Sequence, residues 1–320
     1  MPFLTVRDVS VSIGSVQPLD RVSFEVDKGQ ILGVVGESGS GKSITAMSVM
    51  GLLPLMGGQV TCGSIQLDGV ELVGLNARAY RDLRGKRIAL ITQNPMTSLD
   101  PLLQVGMQID QVSALHLGLQ SIDARARSIE LLEQLRIPDA ASVYHQYPHQ
   151  LSGGMKQRIV IAMALAGNPD LIIADEPTTA LDVTIQAQII HILVEMVRNR
   201  GMALILITHD MSVVAQACDR VVVLYAGRVA EANFVEEIFA RPAHPYTQAL
   251  IACIPSRDQA RGSLKGIPGI VPSVAQYPAG CRYNPRCARV QPQCSQEIPA
   301  LITRHQGAVA CHFSEAVHEA

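Results

Sequence analysis

The sequence predicts an α/β fold whose core is a mostly parallel sheet. Short apolar runs of the kind that form buried strands recur along the chain, and stretches with helical spacing of apolar residues lie between them. Hydrophobic residues make up 48% of the 320 residues and charged residues 17%, so a sizeable core can form and wholesale disorder is excluded.

Residues 3–35 are typical of strands and turns, and strand character returns further along the chain. Apolar or alternating runs predict strands at Leu4–Arg7, Val22–Val26, Ile31–Val35, residues 59–67 and Arg87–Thr92. The run Ile31–Val35 leads directly into a glycine-rich segment, after which helical spacing begins.

Helical patterning dominates the middle of the chain. Residues 95–150 lack long β-branched runs, which indicates an inserted helical subdomain. Thr184–Arg200 carries apolar residues at helical spacing, and Gly201 follows it, as glycine often does at the C-terminus of a helix. Apolar runs predict three more strands, at Leu171–Ala174, Ala203–Thr208 and Arg220–Tyr225.

These changes of pattern predict two domains. The α/β domain would span residues 1–235, with the helical subdomain at about 95–160, and a C-terminal extension would span 236–320. Towards the end of the chain Pro, Gly and Cys become frequent and the periodicity fades, so we expect a small Cys-rich module at about 264–315.

Charge and composition exclude several kinds of partner. The formal net charge is −2 and the sequence holds no basic block, so nucleic acid is not an expected partner. No apolar run reaches the ~18 residues of a membrane helix. The N-terminal segment carries no basic region, so we expect no signal peptide and a cytosolic chain. The seven Cys are then reduced thiols or metal ligands rather than disulfides.

A phosphate-binding loop is predicted directly after Ile31–Val35, because the next residues match the pattern G-x-x-x-x-G-K-[ST]. They are Gly36, Glu37, Ser38, Gly39, Ser40, Gly41, Lys42 and Ser43. The glycines let backbone N–H groups surround the phosphates of ATP. Lys42 would neutralise the β- and γ-phosphates, and the Ser43 hydroxyl would ligate Mg²⁺.

A second phosphate-binding surface is predicted far along the chain, at Leu151–Arg158. Within it, Ser152, Gly153, Gly154 and Met155 open a helix, so a hydroxyl and backbone N–H groups would face an anion with the helix dipole behind them. Two such surfaces so far apart in one chain suggest a nucleotide that is shared between two subunits.

Two carboxylates end the strand Leu171–Ala174, at the edge where doubly wound sheets bind ligands. Asp175 suits Mg²⁺, directly or through water, and Glu176 suits the general base that polarises an attacking water. Taken alone, the pair has a second interpretation, a solvated strand end.

Together these motifs resemble the ATP-binding-cassette (ABC) ATPase family, in the family's motif order, over about residues 3–235. The resemblance implies a nucleotide-binding domain with a RecA-like core, an antiparallel β subdomain and an inserted helical subdomain. A small Cys-rich C-terminal module would follow it.

The same resemblance adds residues to the candidate site. Gln93 matches the Q-loop glutamine, which would help to hold Mg²⁺ beside Ser43 and Asp175. His209 matches the switch histidine that contacts the γ-phosphate, and Asp182 lies in the run Ala180-Leu181-Asp182 that matches the D-loop. The implied catalytic set is Glu176, His209 and Gln93.

Family resemblance also implies an assembly. Two ATPase subunits would pack head to tail, so that Ser152 and Gly154 serve the partner's nucleotide. The second ATPase would be a paralogue or a second copy of this chain. Two transmembrane permease subunits and a solute-binding protein would complete the machine. The chain would then lie at the cytoplasmic face of the bacterial inner membrane.

Two positions depart from the family pattern. Met155 stands where Gln is usual, and Met is common there in the peptide-importer branch. Ile13 stands near the end of the first strand, where an aromatic ring often stacks on adenine. An aliphatic contact without stacking would weaken adenine binding by about 1 kcal/mol.

Two segments near the C-terminus indicate which branch of the ABC family the sequence resembles. His244–Leu250 and Gly280–Cys287 resemble segments of the oligopeptide, dipeptide and nickel importers. We therefore expect ATP hydrolysis coupled to peptide uptake, with nickel or another small solute as the alternative cargo. A soluble ABC ATPase outside transport is a further alternative, although such proteins usually carry long coiled-coil insertions, which this sequence lacks.

Four of the seven Cys lie close together in the tail, and they are Cys281, Cys287, Cys294 and Cys311. Four thiolates can hold zinc or an iron–sulfur cluster, although tight C-x-x-C pairs are missing here. The resemblance implies a [4Fe–4S] cluster, because some members of this branch carry one at such cysteines. Zinc and free thiols remain the alternatives.

Overall fold

A computed structural model describes residues 2–178, 181–255, 266–304 and 306–314. These residues divide into two compact units. The first unit comprises the chain up to residue 26, residues 31–73 and the chain from residue 207 onward. The second unit comprises residues 27–30 and 74–206.

The strands in the described part of the chain are β1 (Leu4–Ile13), β2 (Val16–Val26), β3 (Ile31–Val35), β4 (Gly58–Leu67), β5 (Val70–Glu71), β6 (Ile88–Ile91), β7 (Leu171–Asp175), β8 (Ala203–Thr208), β9 (Arg220–Tyr225), β10 (Arg228–Phe234), β11 (Ile302–Arg304) and β12 (Gly307–Val309). The helices there are α1 (Lys42–Met50), α2 (Ala77–Leu83), α3 (Pro95–Ser98), α4 (Val105–Leu117), α5 (Ser121–Gln134), α6 (Ala140–Val143), α7 (Gly153–Ala166), α8 (Val183–Arg200), α9 (Met211–Ala217), α10 (Val235–Ala240), α11 (Pro245–Ala252) and α12 (Pro292–Gln296).

An antiparallel sheet with strand order β2-β1-β4-β5 forms one part of the first unit. The strands β1 and β2 are longer than the predicted runs. Asp8 and Arg21 lie where the ladder between them is irregular, and both have positive φ. These polar residues interrupt the apolar pattern without ending the strands, because a β-bulge absorbs an extra residue.

The other sheet of the first unit has strand order β11-β12-β10-β9-β3. All five residues of β3 are buried, and β3 runs parallel to β9, with Leu32 opposite Arg220 and Val35 opposite Val223. The short hairpin of β11 and β12 adds to β10 in antiparallel register. The end of the C-terminal extension therefore continues the sheet that carries β3.

In the second unit, β6 and β7 are parallel, with Ile88 opposite Leu171, and the strand order is β8-β7-β6. The helices α4, α5 and α7 pack on one another. Ser128 and Tyr144 both donate hydrogen bonds to the carboxylate of Asp110, which ties α4 to its neighbours. Burial and the adjacent Asp110 raise the pKa of Tyr144 to about 12.

Several predicted elements are confirmed. Strands lie at each of the apolar runs that predicted them, and helices α3–α6 occupy the region predicted to be helical. The helix α8 ends before Gly201, which has φ +63° and closes the helix as its C-cap. Among the helices of the described ranges, none combines the length and the apolar character needed to cross a membrane.

Candidate functional site

The predicted phosphate loop connects β3 to the N-terminus of α1 in the first unit. Gly36 begins it at φ +154°, and a Cβ atom there would lie 2.2 Å from the carbonyl oxygen of Leu224. No side chain fits in that space, because a backbone carbonyl cannot move aside as a flexible side chain can. The strand-to-helix turn therefore requires glycine where it leaves the sheet.

Lys42, near the end of the phosphate loop, binds back to the first residues of the same loop. Its side chain is buried, and Nζ donates hydrogen bonds to the carbonyl oxygens of Gly36 at 2.8 Å and Glu37 at 3.1 Å. The next residue, Ser43, is exposed on the first turn of α1, as an Mg²⁺ ligand must be.

Ser40 supplies a test of whether the loop fits a nucleotide. Its side chain is fully buried, and its Oγ has no hydrogen-bond partner among the described residues. A buried hydroxyl without a partner is costly, and a phosphate oxygen is an acceptor that would satisfy it. The donor set of the loop thus fits the phosphates of ATP.

Glu37 is held by the C-terminal extension, through two residues that sequence reasoning did not place in the site. Arg286 donates from its two terminal nitrogens to the two carboxylate oxygens of Glu37, at 2.8 and 2.9 Å. The hydroxyl of Tyr246 accepts the backbone N–H of Glu37 at 2.9 Å. Motif spacing could not reveal these contacts, since the motif leaves the position of Glu37 open.

The carboxylates that end β7 belong to the second unit. Asp175 and Glu176 are both partly buried, and Glu176 has φ +47°, a backbone conformation that is uncommon for a residue other than glycine. Gln93 follows β6, and its Nε2 donates to Oε2 of Glu176 at 3.1 Å. The structure thus brings together the predicted base and the predicted Q-loop glutamine.

The second predicted phosphate surface forms the N-terminus of α7, also in the second unit. Ser152 is the exposed N-cap residue, and its Oγ accepts the backbone N–H of Met155 at 3.4 Å. A Cβ atom on Gly154 would lie 2.9 Å from Cγ2 of Ile185 in α8, and one on Gly153 would lie 3.3 Å from Cδ2 of Leu181. These glycines therefore allow close packing as well as exposing N–H groups.

The remaining predicted residues lie at the ends of other elements. Asp182 occupies the N-cap position of α8, and the Ala180 of the D-loop lies outside the described residues. His209 is exposed directly after β8, in the first unit. Ile13 is partly buried at the end of β1, opposite Val16. The roles of all these residues stay predictions.

Four thiols of the C-terminal extension line one small cavity of about 20 Å³, and they belong to Cys281, Cys287, Cys294 and Cys311. Burial, with smaller contributions from the neighbouring thiols, raises the pKa of Cys281 to about 11. Within the described ranges, no group of three or more His, Cys, Asp or Glu side chains is positioned to hold a metal ion. The predicted cluster site is therefore present as a set of sulfurs but not as a formed metal centre.

Comparison with known proteins decides the family. A family model described as ABC transporter matches residues 19–179. The chain belongs to the ABC transporter family. A second model, described as the C-terminal region of oligopeptide/dipeptide transporters, matches residues 230–294 of this ABC protein.

Curated relatives resemble the chain over nearly its whole length. The dipeptide transport ATP-binding protein DppD of Escherichia coli is 45% identical over 98% of this chain and 97% of that protein. The oligopeptide transport ATP-binding protein AppD of Bacillus subtilis is 44% identical over 94% of this chain and 92% of that protein.

Solved structures show the same fold. A dimeric post-hydrolysis state of the ATP-binding cassette MJ0796, bound to ADP and phosphate, has a TM-score of 0.64 at 26% identity, over 72% of this chain and 98% of that one. CbiO1 of Clostridium perfringens, part of an ABC transporter complex, has a TM-score of 0.66 at 26% identity, over 75% and 91%. This ABC protein thus has the nucleotide-binding fold of its family, which implies ATP and Mg²⁺.

Replacing Gly36 by alanine is expected to damage the phosphate loop far more than the same change at Gly39. Both residues have positive φ, which glycine adopts freely and alanine does not. Only at Gly36 would the new Cβ also meet a backbone oxygen, since the space at Gly39 is open. Thermal unfolding and titration with a fluorescent ATP analogue measure both effects. Equal losses in Gly36→Ala and Gly39→Ala would contradict the steric argument.

Proposed function

We propose that this ABC protein is the ATP-hydrolysing subunit of a peptide importer. The observation that carries the proposal is the phosphate loop with its buried, unsatisfied Ser40 hydroxyl, in a chain that resembles dipeptide and oligopeptide transport ATP-binding proteins over nearly its whole length. Its C-terminal extension supports the cargo class, since it matches the oligopeptide/dipeptide transporter model. Nickel, the alternative cargo, and a role outside transport are not favoured.

Each of the predicted residues would have its own part in hydrolysis. Lys42 and the N–H groups of the loop would hold the β- and γ-phosphates, and Ser40 would donate to a phosphate oxygen. Glu176 would act as the general base, with Gln93 holding the carboxylate through the observed hydrogen bond. His209 would contact the γ-phosphate as the switch histidine. Ser43, Asp175 and Gln93 would hold Mg²⁺, which when bound neutralises phosphate charge.

The positive φ of Glu176 shows that the backbone at the proposed base is tightly determined. A non-glycine residue in this conformation is strained by about 1–3 kcal/mol, and such strain persists only where the surroundings determine the backbone. Asp175 ends a buried strand on one side, and the buried Pro177 follows on the other. The carboxylate of Glu176 is itself held by the amide of Gln93.

The active assembly would be a dimer of ATPase subunits. Ser152, Gly153, Gly154 and Met155 would face the partner's nucleotide, and Asp182 would lie at the same interface. The partner is proposed to be a paralogue, with a second copy of this chain as the alternative. Two permease subunits would span the membrane, a solute-binding protein would deliver the peptide, and this chain would bind at the cytoplasmic face of the bacterial inner membrane.

We also propose that the four tail thiols hold a [4Fe–4S] cluster, with Zn²⁺ as the alternative. The support for this proposal is chemical, since four thiols around one cavity are the donor set that both the iron–sulfur cluster and zinc use. The Cys-rich module predicted at about 264–315 would be organised around that centre. Because burial raises the pKa values of Cys281, Cys287 and Cys311, their protons would have to leave on binding.

Replacing Glu176 by glutamine is expected to stop turnover while ATP still binds. Loss of a general base lowers the rate by about 10²–10⁴-fold. The ATP-bound dimer should therefore accumulate, as size-exclusion chromatography with ATP and Mg²⁺ would show beside a phosphate-release assay. Glu195→Gln is the control, since Glu195 is a carboxylate on the surface of α8 that pairs with Arg136. A normal hydrolysis rate in Glu176→Gln would remove Glu176 as the base.

Mixed dimers are expected to reveal the shared site. Ser152→Arg and Lys42→Ala should each be inactive alone, but their mixture contains one intact site, made by the phosphate loop of the first variant and the Ser152 surface of the second. Some ATPase activity should return on mixing. A mixture of Ser152→Arg with the double variant Lys42→Ala/Ser152→Arg contains no intact site and is the control. Activity in the control mixture would argue against sharing, and activity in neither mixture would argue against a site shared between two copies of this chain.

Anaerobic purification is expected to yield a brown protein with an absorbance band at ~400 nm and about four iron atoms per chain. Cys294→Ser should remove the band, whereas Cys62→Ser should not, because Cys62 is an exposed residue of β4. Metal binding should weaken as the pH falls, since the thiols must be deprotonated. Stoichiometric zinc without iron would select the alternative, and neither metal would contradict both.

A further inference from the structure

We propose that Arg286 and Tyr246 are positioning residues that hold the phosphate loop in its nucleotide-binding conformation, so that the C-terminal extension forms part of the ATPase site. The inference rests on the proposed function, because the conformation of the loop matters only if the loop binds nucleotide. It concerns residues of the first unit alone.

The first contact is a two-pronged ion pair. Both terminal nitrogens of Arg286 donate to the carboxylate of Glu37, and the Arg286 side chain is only 4% exposed. Its Nε also donates to the carbonyl oxygen of Pro268 at 2.7 Å. A bidentate pair fixes orientation as well as distance, and the further bond fixes the plane of the guanidinium. Glu37 therefore has one defined place relative to the extension.

The second contact holds the backbone of the same residue. The Tyr246 hydroxyl accepts the N–H of Glu37, and the Tyr246 side chain is fully buried. Its ring contacts those of Tyr225 and Tyr283, with centroid separations of 4.6 and 5.2 Å. Packed rings of this kind leave the hydroxyl little freedom to move. Tyr246 thus offers Glu37 a fixed acceptor rather than a mobile one.

The third contact comes from within the loop. The carbonyl oxygen of Glu37 accepts Nζ of Lys42 at 3.1 Å and the backbone N–H of Ser40 at 3.2 Å. Glu37 is therefore fixed at its N–H, its carboxylate and its carbonyl. Both residues that touch this carbonyl belong to the phosphate-binding machinery, so a shift of Glu37 displaces Lys42 and Ser40 together.

A merely structural role for Arg286 predicts a different outcome from a positioning role. If the ion pair only attached the extension, its loss would lower the melting temperature and leave nucleotide affinity alone. If it sets the loop, affinity would fall even where the protein stays folded. Nucleotide affinity measured at a temperature well below unfolding separates the two.

The test compares purified full-length variants by titration with a fluorescent ATP analogue and by thermal unfolding. Arg286→Met should lower affinity by about tenfold, as loss of charged hydrogen bonds to a positioned group does. Arg286→Lys should recover part of it, because lysine restores the charge with a single contact. Tyr246→Phe keeps the ring packing and removes only the acceptor, and it should lower affinity several-fold.

Arg241→Met is the matched control. Arg241 is an exposed arginine of the same extension, paired with Glu237 and not with the loop, so its loss should leave affinity unchanged. If Arg286→Met fails to fold, Arg286→Lys and Tyr246→Phe decide the matter. Folded variants with wild-type affinity would overturn the inference and leave the proposed function standing. A wild-type protein that binds no nucleotide would overturn both.

Discussion

The phosphate loop imposes the constraint on which the rest of the first unit depends, since a short backbone segment must turn sharply and keep its polar groups available to an anion. Such a segment has little apolar surface with which to stabilise itself. It is therefore held by contacts from outside, at Glu37 by Arg286 and Tyr246, while the carbonyl of Leu224 leaves room at Gly36 for glycine alone. The long chain between these partners is not a large obstacle, because loop-closure entropy rises only slowly with length.

The ion pair between Glu37 and Arg286 is better understood as a device for position than as a source of stability. Desolvating a guanidinium that is 4% exposed offsets much of the Coulomb attraction, and well-packed apolar residues often stabilise a protein as well as a buried pair does. What an apolar contact cannot supply is a fixed direction. The fork of Arg286 matches both oxygens of Glu37, and that match sets the backbone on either side of the glutamate.

The local sequence pattern was enough to predict the buried strands and to find the motifs. It was not enough to predict elements whose structure depends on distant parts of the chain. The strand β3 is buried along its whole length and is therefore a continuous apolar run that sequence reasoning finds. The hairpin of β11 and β12 consists of three-residue strands that exist because β10 offers an edge, and nothing in their own sequence shows it. Arg286 belongs to the same class, since its acceptor lies 249 residues earlier.

At the N-terminus of α7, some residues of the predicted motif have a structural role that is independent of phosphate binding. A Cβ atom at Gly153 or Gly154 would crowd Leu181 or Ile185 even if no anion ever approached, so glycine at these positions is weak support for phosphate binding. Ser152 is different. Its hydroxyl has two acceptor lone pairs and one donor, and the bond from Met155 N–H uses a single lone pair. The O–H of this exposed residue can still donate to a phosphate oxygen, so the case for a shared nucleotide depends on the serine rather than on the glycines that follow it.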